Sequence, residues 1–355
     1  MKNNKLFTRK NIVSNLFVYG TMHALVDAIC AGVVFSILKN QIVDTQTFFI
    51  LVILYNVIAF GLQFIFGLIS DYFKSPRLVA LIGVVLTAVS AFMFMIFPII
   101  AIIFIGIGNA LFHVGGGSIS LNLTPNKASA PGIYVAPGAL GLLVGTLLGK
   151  SGQFIAWPFV LGLIILGILM FVIKKPEINY ERKINKKNKL NYFELILFLV
   201  FLSVTIRSLV GMILVFPWKV DINLLIILTI AVVLGKALGG ILADKFGWIK
   251  VAVGALILSI PFLIFGANIP VLAIIGMFLF NITMPITLVA ISNILPGRPG
   301  FAFGLTCLAL IIGALPSFFS IKQTLSNDWF IFSVISISAI SLYFGLRLYY
   351  NKIIS

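Results

Sequence analysis

Gly67-Leu-Ile-Ser-Asp71-Tyr-Phe-Lys74-Ser-Pro-Arg77 recurs 173 residues later as Gly240-Ile-Leu-Ala-Asp244-Lys245-Phe-Gly247-Trp-Ile-Lys250. Each copy closes a long apolar run, places Gly four residues before Asp, and is followed by basic residues. A chance Gly and Asp at a helix end would explain one copy. Two copies at equivalent places in two halves imply an internal repeat. In each, the Gly lets a neighbouring helix approach closely. The Asp either pairs with the Lys or Arg that follows or caps a nearby helix N-terminus, where the dipole favours negative charge.

The rest of the chain has the composition such a repeat needs. Of 355 residues, 61% are hydrophobic and 10% charged, with mean hydropathy +1.18. A soluble domain has about 45–50% apolar and about 25% charged residues. Apolar runs of helical length lie near 12–38, 47–69, 78–96, 99–121, 131–149, 153–173, 192–216, 222–242, 250–267, 269–290, 300–321 and 328–349. A bilayer core about 30 Å thick takes roughly 20 such residues per crossing. The expected protein is therefore an all-α membrane protein with twelve transmembrane helices and very short loops. The basic stretch near 176–191 separates two six-helix bundles, 1–175 and 192–355. The first run is too long for a signal peptide, and no small-residue cleavage site follows it.

The net charge of +16 would point to nucleic acid in a soluble protein, but here the bases fill the gaps between apolar runs. With the N-terminus inside, 19 Lys and Arg fall on the inner side, among them Lys2, Lys5, Lys127, Lys174, Lys175, Arg182, Lys183, Lys186, Lys187, Lys189, Arg298, Arg347 and Lys352. Only Lys39, Lys150, Lys219 and Lys322 fall outside. The positive-inside rule then makes both termini cytoplasmic. Cys30 and Cys307 each lie inside an apolar run, with no metal or disulfide spacing.

The repeated segment resembles the loop signature of the major facilitator superfamily, Gly-x-x-x-Asp-basic-x-Gly followed by basic residues. The second copy matches it, whereas the first has Tyr72 and Lys74 where a base and Gly are usual. This resemblance implies two pseudo-symmetric six-helix bundles, the major facilitator fold, rocking about a midplane site. Tyr19-Gly-Thr-Met-His23-Ala-Leu-Val-Asp27 and Gly106-Ile-Gly108-Asn109-Ala-Leu-Phe112-His113 look like segments of the fosmidomycin-resistance branch, whose members are proton-driven drug exporters. That branch continues with Pro and Glu, but this chain has Val114 and Gly115. The stretch Gly132 to Gly149, with Pro137, resembles the fifth-helix motif of drug–proton antiporters imperfectly, since Ala136 and Leu140 replace preferred glycines.

Ionisable residues inside spans are expensive and mark cavities or partners. In this family, spans 1, 4, 7 and 10 line the cavity. Span 1 has His23 and Asp27, span 4 has Asn109 and His113, span 7 has Arg207, and span 10 has Asn281 and Thr283. His23 and Asp27 share a face at i,i+4, as do Asn109 and His113. Asp27, the one carboxylate near the middle of any span, and His23 are the expected proton-coupling pair. His113, Asn109, Arg207 and Asn281 are the expected substrate contacts, with the Arg fork suited to carboxylate, phosphate or phosphonate. Alternatives remain open: an Asp27–Arg207 structural pair, a packing or relay role for His113, and a His₂-carboxylate metal set that nothing in the spacing demands. No metal or cofactor is expected.

Gly67, Asp71, Arg77, Gly240, Asp244 and Lys245 are read as gate and structural residues. Lys236 is expected to snorkel or to pair with a helix end, Asn56 and Gln63 to glue helices together. Trp157, Trp218 and Trp329 are placed at the outer interface. No HExxH, GxSxG or phosphate-binding loop points to an enzyme or an ATP-driven pump. The sequence therefore predicts a monomeric, multi-pass plasma-membrane transporter, not an enzyme. It would export a small anionic or amphiphilic compound in exchange for protons, with uptake of a small organic anion as the alternative.

Overall fold

Prolines and short polar residues punctuate the apolar runs, and helices start where they stand. Thr8, Asp44, Asp221 and Asn327 accept amide hydrogens of the first turn that follows each of them. Pro76, Pro98, Pro270 and Pro299 stand in first turns, where a missing amide leaves no helical bond unmade. The computed structural model describes residues 7–181, 190–319 and 325–351, without the side chains of 190 and 191. The expectations for Lys2, Lys5, Arg182, Lys183, Lys186, Lys187, Lys189, Lys322 and Lys352 lie outside these.

The helices are α1 (Arg9–Lys39), α2 (Thr45–Asn56), α3 (Gln63–Phe73), α4 (Pro76–Met93), α5 (Pro98–Leu123), α6 (Ser129–Val135), α7 (Gly138–Ser151) and α8 (Ala156–Val172), then α9 (Leu190–Ile213), α10 (Ile222–Phe246), α11 (Trp248–Ile264), α12 (Pro270–Asn281), α13 (Met284–Ile294), α14 (Pro299–Ala314) and α15 (Asp328–Tyr349). Among the described residues, ten stretches are long and apolar enough to cross a membrane. Two further apolar helices, α8 and α11, have 17 residues each, a rise of about 25 Å.

Three of the runs are interrupted midway. A π-helical turn, Val57–Gly61, joins α2 to α3. Ala136 and Pro137 separate α6 from α7, and Ile282 and Thr283 separate α12 from α13. Pro137 and Pro285 account for the second and third breaks, because each removes an amide and crowds the carbonyl four residues earlier. The π turn also changes the reading of Asn56 and Gln63. Among the described residues neither bonds across to another helix: Asn56 donates to Val52 O at 2.8 Å and Gln63 to Ala59 O at 2.6 Å. Each satisfies a carbonyl of its own irregular run.

In the first half, α7 lies along α1, with Gly138, Gly141, Gly145 and Gly149 facing His23, Ala24, Ala28 and Gly32. Behind them α4 packs on α5, Gly83 against the backbone of Phe112 and Gly108. In the second half, α15 packs on α9, with Ser203 and Ser338 hydroxyls 2.8 Å apart. The α10 helix packs on the α12–α13 break through Gly235 and Gly239, which face Phe278 and Ile282 carbonyls. The halves meet where α3 crosses α14 and where α10 crosses α6.

Candidate functional site

The repeated Gly-x-x-x-Asp segments form the two crossings between halves. At the end of α3, Asp71 accepts the amides of Gly300 and Phe301, both at 2.9 Å. At the end of α10, Asp244 accepts those of Ala128 at 2.8 Å and Ser129 at 2.9 Å. Each aspartate thus caps a helix N-terminus in the opposite half. Of the two readings of these aspartates, helix capping is the one that folds. Among the described residues, neither pairs with Lys74, Arg77 or Lys245. Arg77 instead donates to Ile173 O at 2.7 Å, closing the end of α8, and the Lys245 ammonium lies 5.0 Å from the Phe246 ring centre.

The glycines of the motif explain the close approach. A Cβ on Gly67 would collide with the carbonyl of Gly300, and one on Gly240 with that of Ala128. The motif's last position has a backbone reason too. Gly247 ends α10 at φ 96° and Lys74 ends α3 at φ 52°, so the residue seven past each first Gly takes a positive φ. Glycine adopts it freely, and Lys74 is the variant that bears a side chain there.

Halfway along the spans, α5 faces α1 and brings four of the expected residues together. The Nε2 atoms of His23 and His113 lie 2.8 Å apart. Asp27 carboxylate oxygens lie 3.3 Å from His23 Nε2 and 3.5 Å from His113 Nε2. Asn109 donates to Asp27 Oδ1 at 3.2 Å. Both histidines are nearly fully buried, at 5% exposure.

The far side of each ring fixes its protonation. His23 Nδ1 is 2.9 Å from the carbonyl of Tyr134, and His113 Nδ1 is 2.8 Å from that of Asn109. A carbonyl only accepts, so both Nδ1 atoms carry hydrogen. Neutral rings would then present two Nε2 lone pairs to each other and to a carboxylate. Acceptor groups facing one another in this way favour a cation between them, such as a proton bridging the imidazoles.

The α6–α7 break adds what the sequence did not assign. Tyr134, just before it, supplies the carbonyl that orients His23. Gly138, just after it, leaves room beside the donors: a Cβ there would stand 2.5 Å from His23 Nε2 and 2.6 Å from Asp27 Oδ2. Pro137 explains the break, but only the packed helices show which residues it serves. Lys236 of α10 lies within electrostatic reach of Asp27, so the second half contributes to the surroundings of this cluster.

In the second half, buried Arg207 donates to Thr283 Oγ1 at the α12–α13 break. It has no ion pair among the described residues, so the Asp27–Arg207 pair does not form. Asn281 bonds back to Met277 O at 2.8 Å and faces Gly235 of α10. The expected residues therefore form two groups, one per half, and Lys236 of the second half lies within electrostatic reach of Asp27 in the first. Trp157 and Trp329 are exposed, whereas Trp218 is held by the carbonyl of Ala267 at 2.9 Å.

Comparison with known proteins agrees with this architecture. No curated protein sequence matches the chain. Among solved structures, the transporter FucP in its outward conformation is similar at TM-score 0.64 and 13% identity, over 93% of this chain and 99% of that one. A variant of the E. coli fucose:proton symporter FucP gives TM-score 0.68 at 11% identity, over 96% and 99%. The human organic anion transporter MFSD10 (TETRAN) gives 0.63 at 13%, over 95% and 99%. At such identities the likeness is one of fold. The profile described as Major Facilitator Superfamily matches residues 16–317, and on that match, which covers both Gly-x-x-x-Asp crossings and both of these residue groups, this chain belongs to the Major Facilitator Superfamily of membrane transporters.

Proposed function

We propose that the protein is a proton-coupled secondary transporter that exports a small organic anion by alternating access, through twelve spans with both termini cytoplasmic. The observation that carries this reading is the convergence of His23, His113 and Asp27 on one point that favours a cation. A site of this kind, buried halfway along the spans of one half, is suited to taking a proton from one side and releasing it to the other as the halves rock. His113 then belongs with His23 and Asp27 in proton coupling, with Asn109 orienting the carboxylate.

Arg207 supports an anionic cargo. A guanidinium held away from water without a counter-charge is unfavourable, and a carboxylate, phosphate or phosphonate accepted by its fork would relieve it. The broken backbone at Ile282–Thr283 lies beside it, as irregular backbone in transporters lies beside substrate.

The test uses everted membrane vesicles with an imposed pH gradient and a pH-sensitive dye, to which small phosphonates, carboxylates and amphiphilic drugs are added singly. Proton release on addition of one compound, lost in Asp27→Asn, is the expected result. Uphill transport by Asp27→Asn equal to that of the parent would overturn the proton assignment. Proton movement in the same direction as the compound would replace export with uptake.

A further inference from the structure

We infer that His23, His113 and Asp27 form a binding site for one divalent transition-metal cation of the zinc, cobalt or nickel type, which enters in place of the shared proton. This goes beyond the transport reading and stands on the donor geometry alone.

Four observations converge. The first is spacing. Ligand atoms about 2.0–2.1 Å from a tetrahedral zinc lie about 3.3 Å from one another. The two Nε2 atoms lie 2.8 Å apart, Asp27 Oδ2 lies 3.3 Å from that of His23 and Asp27 Oδ1 3.5 Å from that of His113, so a metal seated between the imidazoles would meet both carboxylate oxygens, and one ligand atom from each residue lies within 4.8 Å of the others. The second is donor type: two imidazoles and one carboxylate suit borderline divalent ions and not calcium or magnesium.

The third is orientation. Metal-bound histidines donate their other ring N–H to a carbonyl or carboxylate, which fixes the tautomer. Here Tyr134 O and Asn109 O already hold both Nδ1 atoms, so both Nε2 lone pairs are turned inward. Asn109 likewise holds the carboxylate through Asp27 Oδ1. The fourth is space and unmet polarity. Gly138 leaves open the side of the donors that a Cβ would fill. Asn109, which holds the carboxylate, keeps its Oδ1 buried with no hydrogen-bond partner among the described residues. Among the described residues this is the only set of three such ligands within reach of one another.

The ion brings two positive charges and the imidazoles release their shared proton to solvent, so the site gains one net charge. Lys236, within electrostatic reach of Asp27, opposes that gain. Its removal should therefore tighten the metal.

The test titrates the full-length detergent-purified protein, its affinity tag removed, with Co²⁺ while recording visible absorption, then displaces the Co²⁺ with Zn²⁺. One ion per chain with the bands of a low-coordinate nitrogen–oxygen site is expected. His113→Asn and Asp27→Asn should each weaken binding by about 100-fold or more, beyond what loss of a supporting contact does. Lys236→Met should strengthen it, which keeps the test open should a histidine variant fail to fold. Absence of a saturable Co²⁺ spectrum in the parent, or one unchanged in His113→Asn and Asp27→Asn, would overturn the site. Neither result touches the vesicle assay, so the two readings fail separately.

Discussion

The carboxylate of Asp71 accepts the amide hydrogen of Gly300 at 2.9 Å, reaching from one half of the molecule to a helix N-terminus of the other. Asp244 does the same toward Ala128 at 2.8 Å. Both contacts lie at the end rich in basic residues, so both must break for the halves to part there. A charge on a partly buried helix N-terminus contributes about 1–2 kcal/mol. Asp71→Asn keeps the shape and removes the charge, and should raise the population open at that end about fivefold to thirtyfold. Spin labels at Tyr72→Cys and Phe246→Cys, both exposed positions on opposite halves, would report a longer distance. An unchanged distribution would show that the aspartate does not hold this end shut.

Gly240 tests the same crossing by volume. Its missing Cβ lets α10 approach the Ala128 carbonyl, which is backbone and cannot swing away. Overpacking of this kind costs about 1–3 kcal/mol. Gly240→Ala should lower the melting temperature in detergent and open the same label pair. Gly254, whose Cβ would meet nothing within 4 Å, is the control: Gly254→Ala should leave both readouts unchanged.

These crossings also show what the sequence could and could not tell. The repeated Gly and Asp were legible because duplication put equal residues at equal places. Their partners were not, since Ala128 and Gly300 contribute only backbone amides, which carry no residue signature. Helical spacing likewise put His23 beside Asp27 and Asn109 beside His113. That the two pairs meet Nε2 to Nε2 depends on how α5 turns against α1, which helical spacing does not fix. The proximity of Lys236 to Asp27 was hidden for a related reason: only the packing of one half against the other brings it within electrostatic reach. Asn281 spends its amide on Met277 O, a local bond that competes with any cross-helix contact.

Asp44 offers a pH dependence outside the membrane. The Thr47 hydroxyl donates to it at 2.6 Å, with the Thr47 and Gln46 amides at 3.0 Å. Chiefly through that hydroxyl, its carboxyl is held below the ordinary value. A group depressed on folding stabilises the fold above its unfolded pKa, and that stability disappears as pH falls through the folded value. Asp44→Ala should therefore melt below the parent at pH 7, and the gap should close in acid below about pH 4. A gap that stays constant across that range would rule out the carboxylate as its source.

Arg207 makes the sharpest test of anionic cargo. The Thr283 hydroxyl is its one hydrogen-bonding partner among the described side chains, so its remaining donors are uncommitted by any carboxylate. Arg207→Lys keeps the charge but loses the planar fork, and two parallel bonds to a carboxylate or phosphate become one at most. If each charge-assisted bond contributes about 1.5–3 kcal/mol, KM for an anionic substrate should rise at least tenfold. Thr283→Val, which frees the guanidinium from its tether, should change KM far less and alter turnover instead, because Thr283 lies at the helix break. Measuring uptake into energised vesicles for parent, Arg207→Lys and Thr283→Val with one anion and one neutral analogue separates binding from movement. Equal losses for the anion and the neutral compound in Arg207→Lys would mean that the arginine holds the helix break together and does not meet the substrate.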